Sequence, residues 1–168
     1  MEKKFELTDK FVFNTFGIKL FQIKCTKSFK YAKEGDLGGY VEKDENLDQE
    51  SNAWVYGDAW VYGNARVSGD ARVYGNARVS GDARVSGDAD IENDNNHCGF
   101  DCFGSCNRHT HAYLTKDNKV EITCGCFRGS IEEFEKKVEK THSGTIYEKQ
   151  YKAIINVIKI KFGLTDLI

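Results

Sequence analysis

Valine or isoleucine recurs at 55, 61, 67, 73, 79, 85 and 91, with alanine two positions earlier each time and glycine two positions later through Gly87. The repeated unit over residues 53 to 92 is the hexapeptide Ala-x-Val-x-Gly-Asp/Asn. A spacing of two puts Ala53 and Val55 on one side of a short strand and Trp54 and Tyr56 on the other. The apolar pair fills an interior. Gly followed by Asp or Asn turns a corner, because these residues tolerate positive φ at low cost. A period this short predicts a parallel β-helix, in which three hexapeptides and their three corners close one triangular coil. With coils stacked ~4.8 Å apart, residues three repeats apart align. The outward columns are then Trp54, Arg72, Asp90; Tyr56, Tyr74, Glu92; Trp60, Arg78; Tyr62, Ser80; and Arg66, Arg84. Val41 and Leu47 extend the step upstream, and the longer gap from Leu47 to Val55 implies a two-residue insertion at a corner. The pattern predicts about three coils over residues 37 to 96.

The flanks have other periods. Within residues 1 to 36, Phe5 to Phe29 alternate apolar positions (Phe11, Phe13, Ile18, Leu20, Ile23, Cys25) around Asn14 to Gly17, which predicts a β-hairpin. Its expected role is a cap over the open end of the coil, where an unpaired strand edge would otherwise lie exposed. After Glu92 the period breaks, and residues 97 to 168 read as a small α+β module. It comprises a hairpin of residues 109 to 115 and 119 to 126, a helix over 131 to 141 opened by a Ser130/Glu133 capping box, and a second helix over 146 to 162 ended by Gly163. Residues 97 to 106, with Gly99 and Gly104, read as a flexible loop. The predicted fold is mainly β: a short parallel β-helix with an N-terminal β-hairpin cap and a C-terminal α+β module.

The repeat resembles the hexapeptide-repeat superfamily, whose best-known members are acyltransferases. That resemblance implies a left-handed coil, whereas the general preference for right-handed crossovers predicts the opposite hand. Cys124-Gly125-Cys126-Phe127-Arg128-Gly129-Ser130 with Thr141-His142, and Gly38-Gly39-Tyr40-Val41-Glu42 with Asn46-Leu47, resemble uncharacterised proteins common in bacteriophages and prophages. This second resemblance implies a mobile-element origin.

Composition narrows the function classes. With 40% hydrophobic and 30% charged residues the 168-residue chain reads as folded and soluble. The residues after Lys4 form no signal-like apolar run and no stretch approaches a membrane span, so the expected location is the cytoplasm of a bacterial host, with no membrane partner. In that reducing setting the six cysteines are thiols or metal ligands rather than disulfides. Residues 35 to 96 carry 13 acidic against 5 basic groups, a balance that opposes direct nucleic-acid binding.

Three candidate chemistries follow. An acyltransferase needs a histidine beside the coil, and none of His97, His109, His111 and His142 falls in residues 1 to 96. His97, Cys98, Cys102 and Cys106 supply four soft ligands in one short segment, enough for a tetrahedral zinc, with Cys124, Cys126 and His142 as further contributors. The alternative for Cys124 and Cys126 is burial as small apolar thiols. Zinc is therefore the one cofactor the sequence leaves open. Trp54, Tyr56, Trp60, Tyr62, Arg72, Tyr74 and Arg78 form an outward patch of the residue types that dominate binding hot spots. The same rings could instead pack on the cap, on a C-terminal helix or on a second copy in a homo-oligomer.

The expected function is a non-catalytic interaction protein. Combined with the phage resemblance, it becomes an accessory or counter-defence inhibitor, as anti-CRISPR proteins are, that blocks a host immune effector through acidic imitation of nucleic acid. A hexapeptide acyltransferase and a zinc-stabilised scaffold are the rival readings.

Overall fold

The computed structural model describes residues 3–165, so residues 1, 2 and 166–168 of the expected outer segments lie outside the described residues. The chain is mainly β with two helices and forms two compact units, Met1–Asp94 and Asn95–Ile168.

In the first unit β1 (Phe5–Phe13) and β2 (Lys19–Cys25) form an antiparallel hairpin. The Asn14 Oδ1 fixes its turn by accepting the N–H groups of Phe16 and Ile18, both at 2.9 Å. Strand β3 (Leu37–Val41) lies antiparallel to β2 and begins the repeat. The hexapeptides then supply seven very short strands: β4 (Trp54–Val55), β5 (Trp60–Val61), β6 (Arg66–Val67), β7 (Arg72–Val73), β8 (Arg78–Val79), β9 (Arg84–Val85) and β10 (Asp90–Ile91). They stack in parallel as β4-β7-β10, β3-β5-β8 and β6-β9. Between rungs the backbone ladder is continuous: Trp54 N–H donates to Ala71 O at 3.0 Å, Tyr56 N–H to Val73 O at 3.0 Å and Asp58 N–H to Gly75 O at 2.9 Å.

Alternation along each short strand decides the interior. Val55, Val61, Val67, Val73, Val79, Val85 and Ile91 are fully buried, as are their alanines with Ala83 nearly so. Burying each valine is worth roughly 1.5–3 kcal/mol. Upstream, Val41 pairs with Val61 and Leu47 bridges to Val67, and each of these steps is longer by two positions than the step from Val55 to Val73. The insertion thus falls between Leu47 and Val55, where the spacing placed it. Asn46 is buried at this corner, and its amide donates to the carbonyls of Gly63 at 3.2 Å and Ala65 at 2.9 Å.

In the second unit β11 (His97–Phe103), β12 (Arg108–Leu114), β13 (Val120–Cys124) and β14 (Phe127–Ser130) make a four-stranded antiparallel sheet in chain order. Helices α1 (Ile131–His142) and α2 (Ile146–Lys161) follow. The Ser130 capping box is formed: its Oγ accepts Glu133 N–H at 3.2 Å, and Glu133 Oε2 accepts Ser130 N–H at 2.8 Å. Ala112, Ile122 and Cys124 on one face of the sheet share a core with Phe134, Val138, Tyr151, Ile154, Ile155 and Ile158 of the helices. His97, His111, Tyr113 and Thr123 alternate with these residues and so belong to the opposite face. Residues 97 to 106, read from sequence as a flexible loop, are largely the strand β11, paired to β12 from His97 to Phe103. The glycines misled because one of them, Gly99, lies within the strand against the His109 ring, where a Cβ would sit 2.7 Å from its Cε1.

Candidate functional site

Stacking of every third hexapeptide turns the outer wall of the first unit into ordered rows. Tyr56 and Tyr74 stack with centroids 5.0 Å apart and planes 3° from parallel. Arg78 lies over the Trp60 ring at 3.9 Å and donates to the carbonyls of Asp58 and Asn76, both at 2.8 Å. Arg72 pairs with Asp90 at 2.9 Å and lies within 5.6 Å of the Tyr74 ring and 5.9 Å of the Tyr31 ring. Burial holds the Tyr56 and Tyr74 phenols above their ordinary value, so both remain hydroxyl donors at neutral pH.

Trp54 does not belong to this exposed wall. It is only 2% exposed, with Phe29 at 5.3 Å and Phe5 at 6.4 Å, both edge-on to its indole. The period placed it outside the coil, and the chain before β3 covers it. The covering residues Phe5 and Phe29 come from far upstream, beyond reach of a hexapeptide argument. Tyr56, Trp60, Tyr62, Arg72, Tyr74 and Arg78 remain partly exposed. Beside them a groove of about 490 Å³ is lined by Lys30, Tyr31, Asp36, Leu37, Trp54, Tyr56 and Arg72. Tyr31 OH donates to Asp70 Oδ2 at 2.7 Å, and Lys30 pairs with the same carboxylate.

Phe13 is 59% and Phe16 82% exposed at the tip of the β1–β2 hairpin. Lys19 lies 3.9 Å from the Phe11 ring. Nothing in the sequence marked Phe16 as a surface residue beyond its place in the turn.

The proposed zinc ligands of residues 97 to 106 do not converge. His97 Nδ1 is 2.9 Å from His111 Nε2, so the two rings share one hydrogen bond. Cys98 packs against the helix-side core, and burial pushes its thiol up to about 11. Cys102 and Cys106 are exposed. Among the described residues, no group of three or more His, Cys, Asp or Glu side chains is arranged to hold a metal ion. The structure does bring Cys106 of the first set together with the further contributors Cys124, Cys126 and His142 around one cavity of about 210 Å³ in the second unit. Cys124 is buried in the core, accepting from Thr110 Oγ1 at 3.4 Å, while Cys126 is exposed. On the opposite face of the sheet Tyr113 OH and Arg128 Nε both donate to Glu121 Oε1 at 2.6 Å, and His109 Nδ1 lies 2.5 Å from Asp101 Oδ1. Only the spacing of two between His109, His111 and Tyr113 hinted at this polar row.

A family model described as YdcK beta solenoid repeat matches residues 59–75, 71–87 and 77–90. The chain carries a β-solenoid repeat. The matched segments coincide with the stacked rungs and include Trp60, Arg72, Tyr74 and Arg78 of the solenoid wall. No curated protein matches the chain. Among the described residues, no helix is long and apolar enough to cross a membrane.

Proposed function

We propose that the first unit is a non-catalytic docking column: a left-handed solenoid of about three coils, closed at its start by the β1–β2 hairpin, that holds a partner protein against one wall. The observation that carries this reading is the groove beside the Tyr56–Tyr74 stack, where Leu37, Tyr31 and Arg72 meet at about 490 Å³. Tyr and Arg are over-represented at binding hot spots, and rings already ordered by stacking lose little entropy on docking. The interior supports the same conclusion from the other side, because alanines and valines fill it and any ligand must bind outside. In its most specific form the protein is a phage or mobile-element inhibitor, resembling anti-CRISPR proteins in role. It would occupy a nucleic-acid-binding defence effector in the bacterial cytoplasm. The 13 acidic against 5 basic groups over residues 35 to 96 favour a basic partner surface.

The test is capture from a lysate of the source cells by the tagged protein and by the Tyr56→Ala/Tyr74→Ala variant. The variant should retain the far-ultraviolet spectrum and lose the partner by roughly tenfold or more in affinity, the cost of removing two hot-spot rings. Capture should also weaken with added salt. A folded variant that binds the same partner unchanged would remove the groove from the reading.

A further inference from the structure

The cavity in the second unit has a charge pattern that neither the solenoid reading nor the zinc expectation uses. Of its lining residues Arg108 and Lys137 are cations, His142 is a third basic group, and no carboxylate is among them. Arg108 is exposed, and its electrostatic neighbours are the thiols of Cys106, Cys126 and Cys124 rather than an acid. Neither Arg108 nor Lys137 takes part in an ion pair among the described residues. Elsewhere in the unit Arg128 is paired to Glu121 at 2.6 Å and Lys159 to Glu135 at 2.6 Å. One side of the remaining wall is apolar: Phe127 and Phe134 lie 5.0 Å apart, Phe134 meets Tyr151 edge-on at 5.5 Å, and Val138 follows on the next turn of α1, while Ser105 and Thr141 add hydroxyls to the lining. His142 stacks on Tyr151 at 5.5 Å, which fixes the imidazole at the cavity wall.

We propose that this cavity is a binding site for a small organic carboxylate, its anionic end held by Arg108 and Lys137 and its apolar body laid against Phe127, Phe134 and Tyr151, with the Cys106 and Cys126 thiols beside it. A volume of about 210 Å³ is below the usual 300–1,000 Å³ of drug-sized sites, so the occupant is a small acid and not a nucleotide. Guanidinium and carboxylate match as a two-bonded fork. An inorganic phosphate would meet the two cations but has no apolar body to cover Phe127, Phe134 and Tyr151, so it gains less from the site than an aromatic acid does.

The thiols report occupancy directly. Iodoacetate carries the proposed ligand's carboxylate, whereas iodoacetamide is its neutral counterpart. Each alkylates a thiolate in the same way: the sulfur attacks the iodinated carbon, a C–S bond forms, the C–I bond breaks and iodide leaves. Site-resolved mass spectrometry of the whole protein should give Cys106 and Cys126 an iodoacetate-to-iodoacetamide rate ratio roughly tenfold above that of Cys102, the size of effect that cations a few ångströms away produce at partly screened sites. Cys102 is exposed and is not part of the cavity lining, so it serves as the internal standard. Arg108→Gln/Lys137→Gln should bring the ratio down to that of Cys102, and both positions are exposed enough for the fold to tolerate the change. Benzoate should slow labelling of Cys106 and Cys126, and inorganic phosphate at equal ionic strength should not. Equal ratios at all three cysteines, a preference that survives the double substitution, or equal protection by phosphate and benzoate would each overturn the proposal.

Discussion

In the first unit a buried repeat residue is an alanine or a valine resting on its own kind from three repeats along the chain, whereas in the second unit Ile122, Phe134, Tyr151 and Ile155 each meet a different set of neighbours. Repetition makes every rung of the solenoid solve one small packing problem with short side chains, and it copies the result outward, so that Tyr56 finds Tyr74 and Trp60 finds Arg78 without further specification. A core assembled from unlike residues has no such template. It must fit rings and branched chains individually, and in this chain it does so with a cavity of about 210 Å³ left beside the thiols of Cys106, Cys124 and Cys126. The regular unit therefore offers an ordered wall, and the irregular one offers a pocket of unlike residues that opens at its surface.

The strongest challenge to this contrast is a charge inside the solenoid. Val73→Asp places a carboxylate among fully buried valines, and it should cost roughly 4 kcal/mol or more, enough to unfold the first unit. Both tryptophans, Trp54 and Trp60, lie in that unit, so their emission should shift to that of exposed indole. Ile155→Ala in the helix core should cost roughly 2–5 kcal/mol. Here the helical signal should melt earlier while the tryptophan transition stays in place; coincident shifts would mean that the two units unfold as one block. Two glycines of nearly equal φ separate backbone strain from crowding. Gly69→Ala (φ 70°), whose Cβ would lie 2.7 Å from Gly87 N, should lose about 2 kcal/mol, against about 1 kcal/mol for Gly144→Ala (φ 73°), which faces open space. Comparable losses in urea titrations would deny that neighbouring corners crowd each other.

A pH-dependent effect belongs to Lys4, which is 6% exposed and donates to the carbonyls of Ser51 and Ala53, both at 2.8 Å. Burial pushes its ammonium down from 10.5 to about 8, so between those values the unfolded chain holds a proton that the folded one has released. Stability of the first unit should accordingly rise as pH climbs through that window, by about 3 kcal/mol at most. Lys4→Met should flatten the urea midpoint measured from pH 8 to 10, leaving the tyrosines and remaining lysines as the background.

The buried repeat positions were readable from the chain alone because burial there depends only on a residue's place within its hexapeptide. The helices were readable too: residues 131 to 141 and 146 to 162 fall within a residue of Ile131–His142 and Ile146–Lys161, since capping by Ser130 and the apolar stripe are local signals. What failed were features settled between distant segments. Trp54 carries the period of an outward residue and is buried by Phe5 and Phe29, so for this ring the alternative of packing on the cap holds. Cysteine spacing at 98, 102 and 106 suggested ligands, but on β11 Cys98 turns into the core while Cys102 has φ 63° and is exposed. The groove was half visible, through Tyr56 and Arg72, and half hidden, because Lys30, Tyr31 and Leu37 reach it from outside the repeat.

The constant offset between hydrogen-bonded rungs gives the column a length that can be edited. Removing or duplicating one whole coil between Trp54 and Ile91 returns every amide to a carbonyl of the same repeat position, so the molecule changes in height without learning a new packing scheme. Adding a single hexapeptide is a different operation. It advances everything downstream by one side of the triangle, and an insertion between Arg66 and Arg78 would set Arg78 over Arg66 instead of Trp60.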